Sequence, residues 1–218
     1  MKRLAVITGG LAFAFLLSSY AQAEMYVAAE FGYTIPNDFS GVTGNALFSG
    51  GNFSDLKLKN SLEYGARIGY FLPDSWLGFE VEGFNTNPDI KEQTVSVNGI
   101  SLGTAPGTHF RVTTLAFNVV ARAKLRPLQP YVGVGPGVFF ARASDLFGTP
   151  GFSSSDTAVG LNAFVGARYF VTNNLAVFGE YKYNRASFSF SNFGGAGFGI
   201  DGTYSANIFS AGVSYHFK

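Results

Sequence analysis

Strict two-residue alternation recurs eight times along this chain, over roughly 25–35, 61–72, 76–86, 109–124, 130–142, 158–171, 175–186 and 204–217. A period of two marks a strand with two unlike faces. Most of these runs exceed the roughly 9–11 residues that a tilted strand needs to cross a bilayer. After the N-terminal segment, no stretch reaches the roughly 18 consecutive apolar residues that would suggest a membrane helix.

The connections between the runs alternate in length. Pro73-Asp74-Ser75, Arg126-Pro127-Leu128-Gln129 and Thr172-Asn173-Asn174 are short and carry turn-forming residues. The other connections, near 36–60, 87–108, 143–157 and 187–203, are long and rich in Gly, Ser, Asn, Thr and Phe. Short turns on one side and long loops on the other predict an all-β fold, an eight-stranded antiparallel up-and-down transmembrane β-barrel. An even strand count then puts both chain ends on the short-turn, periplasmic side.

The two faces of the runs differ in kind. One set, including Val27, Phe31, Leu115, Phe117, Val119, Val165 and Val213, carries no charge. The other is rich in glycine and holds Glu30, Glu63, Glu80, Glu82 and Glu180 against Arg67, Arg122, Lys124, Arg168 and Lys182. A soluble barrel would show a Lys-, Thr- and Asp-rich exterior. A glycine-rich face with matched charges instead suits a cramped interior, because eight strands leave room only for side chains. Charges there must pair, since an unpaired buried ion is costly. These ten residues are therefore expected to form an interior ion network that plugs the lumen, with Arg168 paired to Glu180 or to a neighbour across it. An open water channel is the less favoured alternative.

Aromatic residues support this choice of faces. By parity Tyr70, Tyr169, Tyr215 and Phe217 fall near the periplasmic strand ends of the apolar face, and Tyr33, Tyr64, Phe140 and Tyr183 near the opposite ends. Two aromatic girdles around Ala, Val and Leu positions match a membrane band. The alternative is aromatic packing in an ordinary core.

The N-terminus reads as an address. Lys2 and Arg3 precede an apolar run from Leu4 to Leu17, and Ala21-Gln22-Ala23 follows as an A-x-A cleavage pattern. The run is shorter than the roughly 20 residues of a membrane helix. The expected division is a cleaved signal peptide over 1–23 and a barrel domain over 24–218. Without the leader the formal net charge of +1 becomes −1, which leaves no footprint for nucleic acid. The chain has no cysteine, so disulfides, thiolate metal sites and cysteine nucleophiles are excluded.

Several stretches resemble the OmpA-type small outer-membrane β-barrel family, in its stand-alone form. They are MYVAAEFGY at 25–33, SLEYGARIGYFL at 61–72, LGFEVEGF at 77–84, PYVGVGPGVFFARA at 130–143, VGARYFVTNNLAVFGEYKYNR at 165–185 and FSAGVSYHF at 209–217. The resemblance implies residence in the outer membrane, contact with its lipid and lipopolysaccharide, and handling by the barrel-assembly machinery through a terminal aromatic residue. Here Phe217 is followed by Lys218. Glu180 sits where the family pattern has an inward glutamate. The resemblance specifies a fold and a compartment, not an activity.

Few constellations could carry chemistry. Gly133, Gly135 and Gly137 spell G-x-G-x-G but lack the helix junction and Lys-Ser/Thr partner of a phosphate loop, so they read as space for bulky interior neighbours. Gly194 to Gly199 reads as a flexible loop. His109 and His216 should lie at opposite barrel ends, too far apart to share a metal. Ser214 and His216 face inward two residues apart, a nucleophile–base spacing for which no third orienting residue stands out. Glu80 and Glu82 could form an acid/base pair but have basic neighbours to pair with. Phe39, Phe48, Phe53, Phe147, Phe152, Phe193 and Phe198 lie in the long loops, either as a binding surface or as rim packing. No cofactor or metal is expected. The leading expectation is a non-enzymatic barrel with a plugged lumen and surface loops for binding, adhesion or envelope integrity, with host or surface molecules as candidate loop partners. Alternatives are a small porin-like or lateral hydrophobic channel, and a lipid A-modifying enzyme.

Overall fold

A computed structural model describes residues 23–46, 49–145, 152–191 and 198–217. Residues 1–22 of the expected 1–23 leader lie outside them, as do Phe48, Phe147, Phe193 and Lys218. The strands are β1 (Glu24–Pro36), β2 (Ser40–Ala46), β3 (Ser61–Phe71), β4 (Leu77–Thr86), β5 (Gln93–Val97), β6 (Ile100–Ala105), β7 (His109–Arg122), β8 (Leu128–Ser144), β9 (Ser153–Phe170), β10 (Leu175–Phe190) and β11 (Phe198–Phe217). Eight of them form one antiparallel sheet in the order β1-β3-β4-β7-β8-β9-β10-β11. That sheet closes on itself because β1 pairs antiparallel with β11, from Met25 opposite Phe217 to Pro36 opposite Ala206. Closure leaves no edge through the membrane band, so every spanning strand has a hydrogen-bonding neighbour on both sides.

Burial follows residue parity. On β7 every second residue from Phe110 to Arg122 is buried and points inward, while Leu115, Phe117 and Val119 point outward. Around the wall Phe31, Phe79, Val165 and Phe209 stand more than half or about half exposed on the outside. An apolar surface that encircles the molecule would aggregate in water and is at home in lipid. All eight expected girdle residues lie on this outer face, with Tyr183 half-buried. At the long-loop end their hydroxyls find partners: Asn60 Nδ2 donates to Tyr33 at 3.2 Å and Asn85 Nδ2 to Tyr64 at 3.2 Å. An apolar ring with a satisfied polar tip suits an interface.

The wall rises further than the alternation suggested. The regions read as loops at 143–157 and 187–203 are largely strand, since β8 runs to Ser144, β9 starts at Ser153, β10 runs to Phe190 and β11 starts at Phe198. The period of two persists there while the polarity reverses. On β10 the upper residues Ala186, Phe188 and Phe190 are buried, and Ser187 and Ser189 face out. Above the lipid a strand wall meets water, so its apolar residues turn inward.

The two other long connections also contain strands. β2 pairs with the top of β11, with a bulge between Asp201 and Thr203. β5 and β6 form a hairpin whose turn residues, Asn98 (φ 50°) and Gly99 (φ 81°), both have positive φ. That is the type I′ pairing matched to strand twist. Phe39, expected in an exposed loop, is buried in the barrel mouth, with its ring 6.2 Å from Phe110 and 6.4 Å from Phe190. Phe53 packs partly against the same cluster, Phe152 is exposed, and Phe198 opens β11.

The glycines of the G-x-G-x-G run make room as expected. A Cβ on Gly133 would fall 2.2 Å from Cζ of Phe164, and one on Gly135 would fall 1.9 Å from the carbonyl oxygen of Phe117. Beside them Pro136 has no N–H, and the β7–β8 ladder skips from Ala116–Gly137 to Val119–Val134. A ring can shift, whereas a backbone carbonyl moves only with its strand. Gly135→Ala should therefore lower folded stability by about 1–3 kcal/mol, read as a lower urea midpoint for the heat-modifiable folded band. An unchanged midpoint would show that the two strands are not held this close.

Candidate functional site

The interior is built in three levels, because successive inward residues on each strand climb the lumen two positions at a time. The middle level is ionic. β1 supplies Glu30, β3 Glu63 and Arg67, β4 Glu80 and Glu82, and β10 Glu180 and Lys182, all of them buried. Arg67 holds Glu180 with both terminal nitrogens, Nη1 to Oε2 at 2.9 Å and Nη2 to Oε1 at 3.0 Å. It also contacts Glu30, and reaches Glu82 at 3.1 Å and Glu80 at 3.5 Å. Lys182 Nζ lies 2.6 Å from Glu30, 2.5 Å from Glu82, 3.4 Å from Glu63 and 3.8 Å from Glu180. Five carboxylates thus converge on two cations.

Neutral donors hold the rest of the charge. Asn184 donates to Asn162 at 2.6 Å, Asn162 to Asn118 at 3.0 Å and to Glu82 at 3.0 Å, and Asn118 to Glu80 and Glu82 at 3.3 Å each. Tyr26 donates to Glu80. These asparagines lie on the inward parity of their strands, and the strand register joins them into a chain across β10, β9, β7 and β4. Linked donors of this kind strengthen one another in a low-dielectric interior. Glu30, Glu82 and Glu180 each offer an oxygen within 4.8 Å of the others, a spacing that could suit a metal ion. The Lys182 ammonium already contacts all three. The place of a cation is taken by the chain's own side chain.

The lower, periplasmic level pairs cations with rings. Arg168 Cζ lies 4.5 Å from the ring centre of Tyr26 and 5.0 Å from that of Tyr131. Among the described residues no carboxylate stands within 4.0 Å of it, so the expected pairing of Arg168 with Glu180 is replaced by cation–π contact; Arg67 occupies Glu180. Arg122 Cζ stacks 3.6 Å from the Phe71 ring centre, and its Nη1 meets Glu24 at 2.6 Å. Lys124 does not join the network. β7 ends at Arg122, and Lys124 lies exposed beyond it, because the alternation was counted one step into the turn.

Glu24 is the residue the sequence reading missed. One oxygen meets Arg122, and the other lies 2.5 Å from His216 Nδ1. His216 Nε2 is in turn 3.1 Å from Ser214 Oγ. The third orienting group that the Ser214–His216 pair lacked in sequence is thus present. Both Ser214 and His216 are completely buried, however, with His216 stacked 5.1 Å from Tyr26 and tilted against Phe170 at 4.9 Å. A hydroxyl with no exposed surface cannot meet a substrate, so the geometry is that of a latch joining β1, β7 and β11. His109 sits at the opposite end of the barrel.

The upper level carries no charge and is filled mainly by apolar side chains, beyond the ten residues of the expected network. Phe84, Val112, Phe139, Phe188, Tyr204 and Ile208 fill it beneath Phe39, Phe110 and Phe190. A small apolar gap of about 10 Å3, the size of one water probe, remains among Phe39, Leu58, Ile90, Phe110, Phe190 and Ile200.

Removing one partner of a buried network leaves charges uncompensated. Arg67→Met should cost about 3–5 kcal/mol of folded stability, and pairing it with Glu180→Gln should recover part of that loss. Lys124→Ala should leave the unfolding midpoint unchanged. Equal sensitivity at positions 67 and 124 in lipid-vesicle unfolding curves would overturn this assignment of the lumen.

The chain can now be set beside known proteins. The family described as "Outer membrane protein beta-barrel domain" matches residues 9–217. No curated protein sequence matches the chain. Among solved structures, the outer membrane protein OprG from Pseudomonas aeruginosa is similar with a TM-score of 0.62 and 15% identity, covering 92% of this chain and 98% of that one. Neisserial surface protein A gives 0.56 and 20% identity, covering 88% and 97%. Ail, the attachment invasion locus protein of Yersinia pestis, solved in complex with the heparin analogue sucrose octasulfate, gives 0.51 and 14% identity, covering 89% and 99%.

Proposed function

The chain belongs to the outer membrane protein beta-barrel domain family, and from that premise we propose that it is a closed-lumen barrel whose work is done by its extracellular crown, in binding, adhesion or envelope integrity. Its compartment is the outer membrane. One observation carries the proposal: packed side chains occupy the lumen at every level, from the Glu24 latch through the ionic layer to Phe39. Water and ions crossing such a barrel would have to displace buried ion pairs or aromatic rings.

The crown supports a binding role. The β5–β6 hairpin is tied to the first long connection by the Phe53–Val97 bridge, while β6 shows Ile100 and Leu102 about two-thirds exposed. An ordered strand with apolar side chains and one free edge is a ready docking element for another chain or surface. That Ail was solved with a sulfated sugar fits a barrel of this kind meeting a ligand.

Passage of an apolar solute is a second reading, favoured by the charge-free, largely apolar upper lumen. Phe39 would then act as its lid, and Phe39→Ala would admit an apolar dye into proteoliposomes. We also propose that residues 1–23 are removed, so N-terminal sequencing of the mature protein should read Glu-Met-Tyr-Val. Handling by the barrel-assembly machinery belongs to the same proposal.

In planar bilayers the protein should give no stable unitary conductance, and Ile100→Ser with Leu102→Ser should reduce binding of whole cells to host surfaces without moving the unfolding midpoint. Steady unitary steps from the unaltered protein would sink the closed-lumen reading. Binding that survives both substitutions would remove the hairpin from it.

A further inference from the structure

Two arginines stand directly opposite each other on the outer wall. Arg111 on β7 pairs in register with Arg142 on β8, one outward step above the Thr113–Phe140 pair. Phe140 belongs to the outer aromatic girdle. Two residues of strand raise Arg142 by about 7 Å, less for tilt, which is headgroup depth rather than hydrocarbon. Arg185 repeats this placement on β10, two residues beyond Tyr183.

Like charges directly across a strand pair destabilise it unless something lies between them. Among the described residues no side chain does so. The Arg142 side chain makes no hydrogen bond or ion pair with any described residue. Arg111 donates its Nε to Asn87 Oδ1 at 2.9 Å, which aims the guanidinium and leaves both terminal nitrogens free. Asp89, which lines the same concavity, is engaged elsewhere: Oδ1 accepts the Phe110 N–H at 3.1 Å and Oδ2 lies 3.4 Å from His109 Nδ1. Arg111, Arg142 and His109 line a concavity of about 500 Å3 with Asn87, Asp89 and Ser144.

We infer that Arg111 and Arg142 form a clamp for a phosphate group of the phosphorylated glycolipid in the outer leaflet. The guanidinium fork matches phosphate oxygens in pairs, and one phosphate between two arginines turns their repulsion into attraction. The position beside the girdle selects a lipid over a soluble anion, because only a lipid presents phosphate along the wall at that depth. The inference rests on membrane placement. It is independent of whether the lumen is closed and of the hairpin's role, so conductance or failed cell binding would leave it standing.

The test uses the full chain in phosphatidylcholine vesicles doped with diphosphoryl lipid A or with its dephosphorylated form. Lipid retained after detergent extraction is counted by mass spectrometry, and the unfolding midpoint is read in parallel. The unaltered protein should retain the phosphorylated lipid about tenfold better, as expected for the loss of one charge-assisted contact pair. Arg111→Gln with Arg142→Gln should abolish that preference. In pure phosphatidylcholine the same double variant should unfold close to the parent's midpoint, since relief of the like-charge pair offsets the lost exposed Arg111–Asn87 hydrogen bond. Retention that ignores the phosphates or survives both substitutions overturns the clamp. So does a variant that keeps the lipid preference but loses binding to a soluble sulfated polysaccharide, which would make the site a glycan receptor.

Discussion

Hydrocarbon offers the peptide backbone no hydrogen-bond partner, and the pairing of β1 with β11 answers that constraint for the whole wall. Once the ring of eight strands is closed, the width of the lumen is fixed and every inward side chain must fit within it. Glycine at 133 and 135 follows from this, because Phe164 and the Phe117 carbonyl already occupy the space a Cβ would need. The skip in the β7–β8 ladder beside Pro136 is tolerated because the neighbouring pairs hold the two strands in place.

The lumen then has to be filled at three depths with three kinds of chemistry. Its middle gathers five glutamates around Arg67 and Lys182, with asparagine amides and the Tyr26 hydroxyl sharing the negative charge. Below it, Arg168 and Arg122 lie on aromatic rings, which lets a cation be buried without a dedicated carboxylate for each nitrogen. Above it the filling is phenylalanine and aliphatic carbon. The Glu24 carboxylate draws Arg122 and His216 together across the closing seam, so the first strand is pinned to the last by charge as well as by its ladder.

Parity was legible in the sequence almost everywhere, since a period of two survives any change of surroundings. Polarity was legible only inside the membrane. Residues 186–190 keep the alternation but reverse which face is apolar, so outward hydrophobic residues end at the girdle while the strand runs on through 187–190, the start of the expected loop. The five glutamates, Arg67 and Lys182 could be named from one face, but their partners could not: register decides that Arg67 rather than Arg168 takes Glu180. Lys124 failed at a strand end, where one step past the last pair carries a side chain out of the lumen. Glu24 sits next to a leader-like segment and so was read as a boundary rather than as a participant.

The fate of Phe39 divides the crown into two evolutionary regimes. Its ring is swallowed by the barrel mouth, and the stretch around it is bridged to Leu56 and braced by β2 on β11. Sequence drift there would be felt in the core, so that part of the surface is held still. The β5–β6 ribbon is tied to the same connection by the Phe53–Val97 bridge and by Asn52 at its Asn-Gly tip, but Ile100 and Leu102 on β6 stay exposed. An antibody approaching the cell would meet in Ile100 and Leu102 an epitope that can change without disturbing the core. The parts least able to mutate are shielded by lipid, by the wall, or by burial.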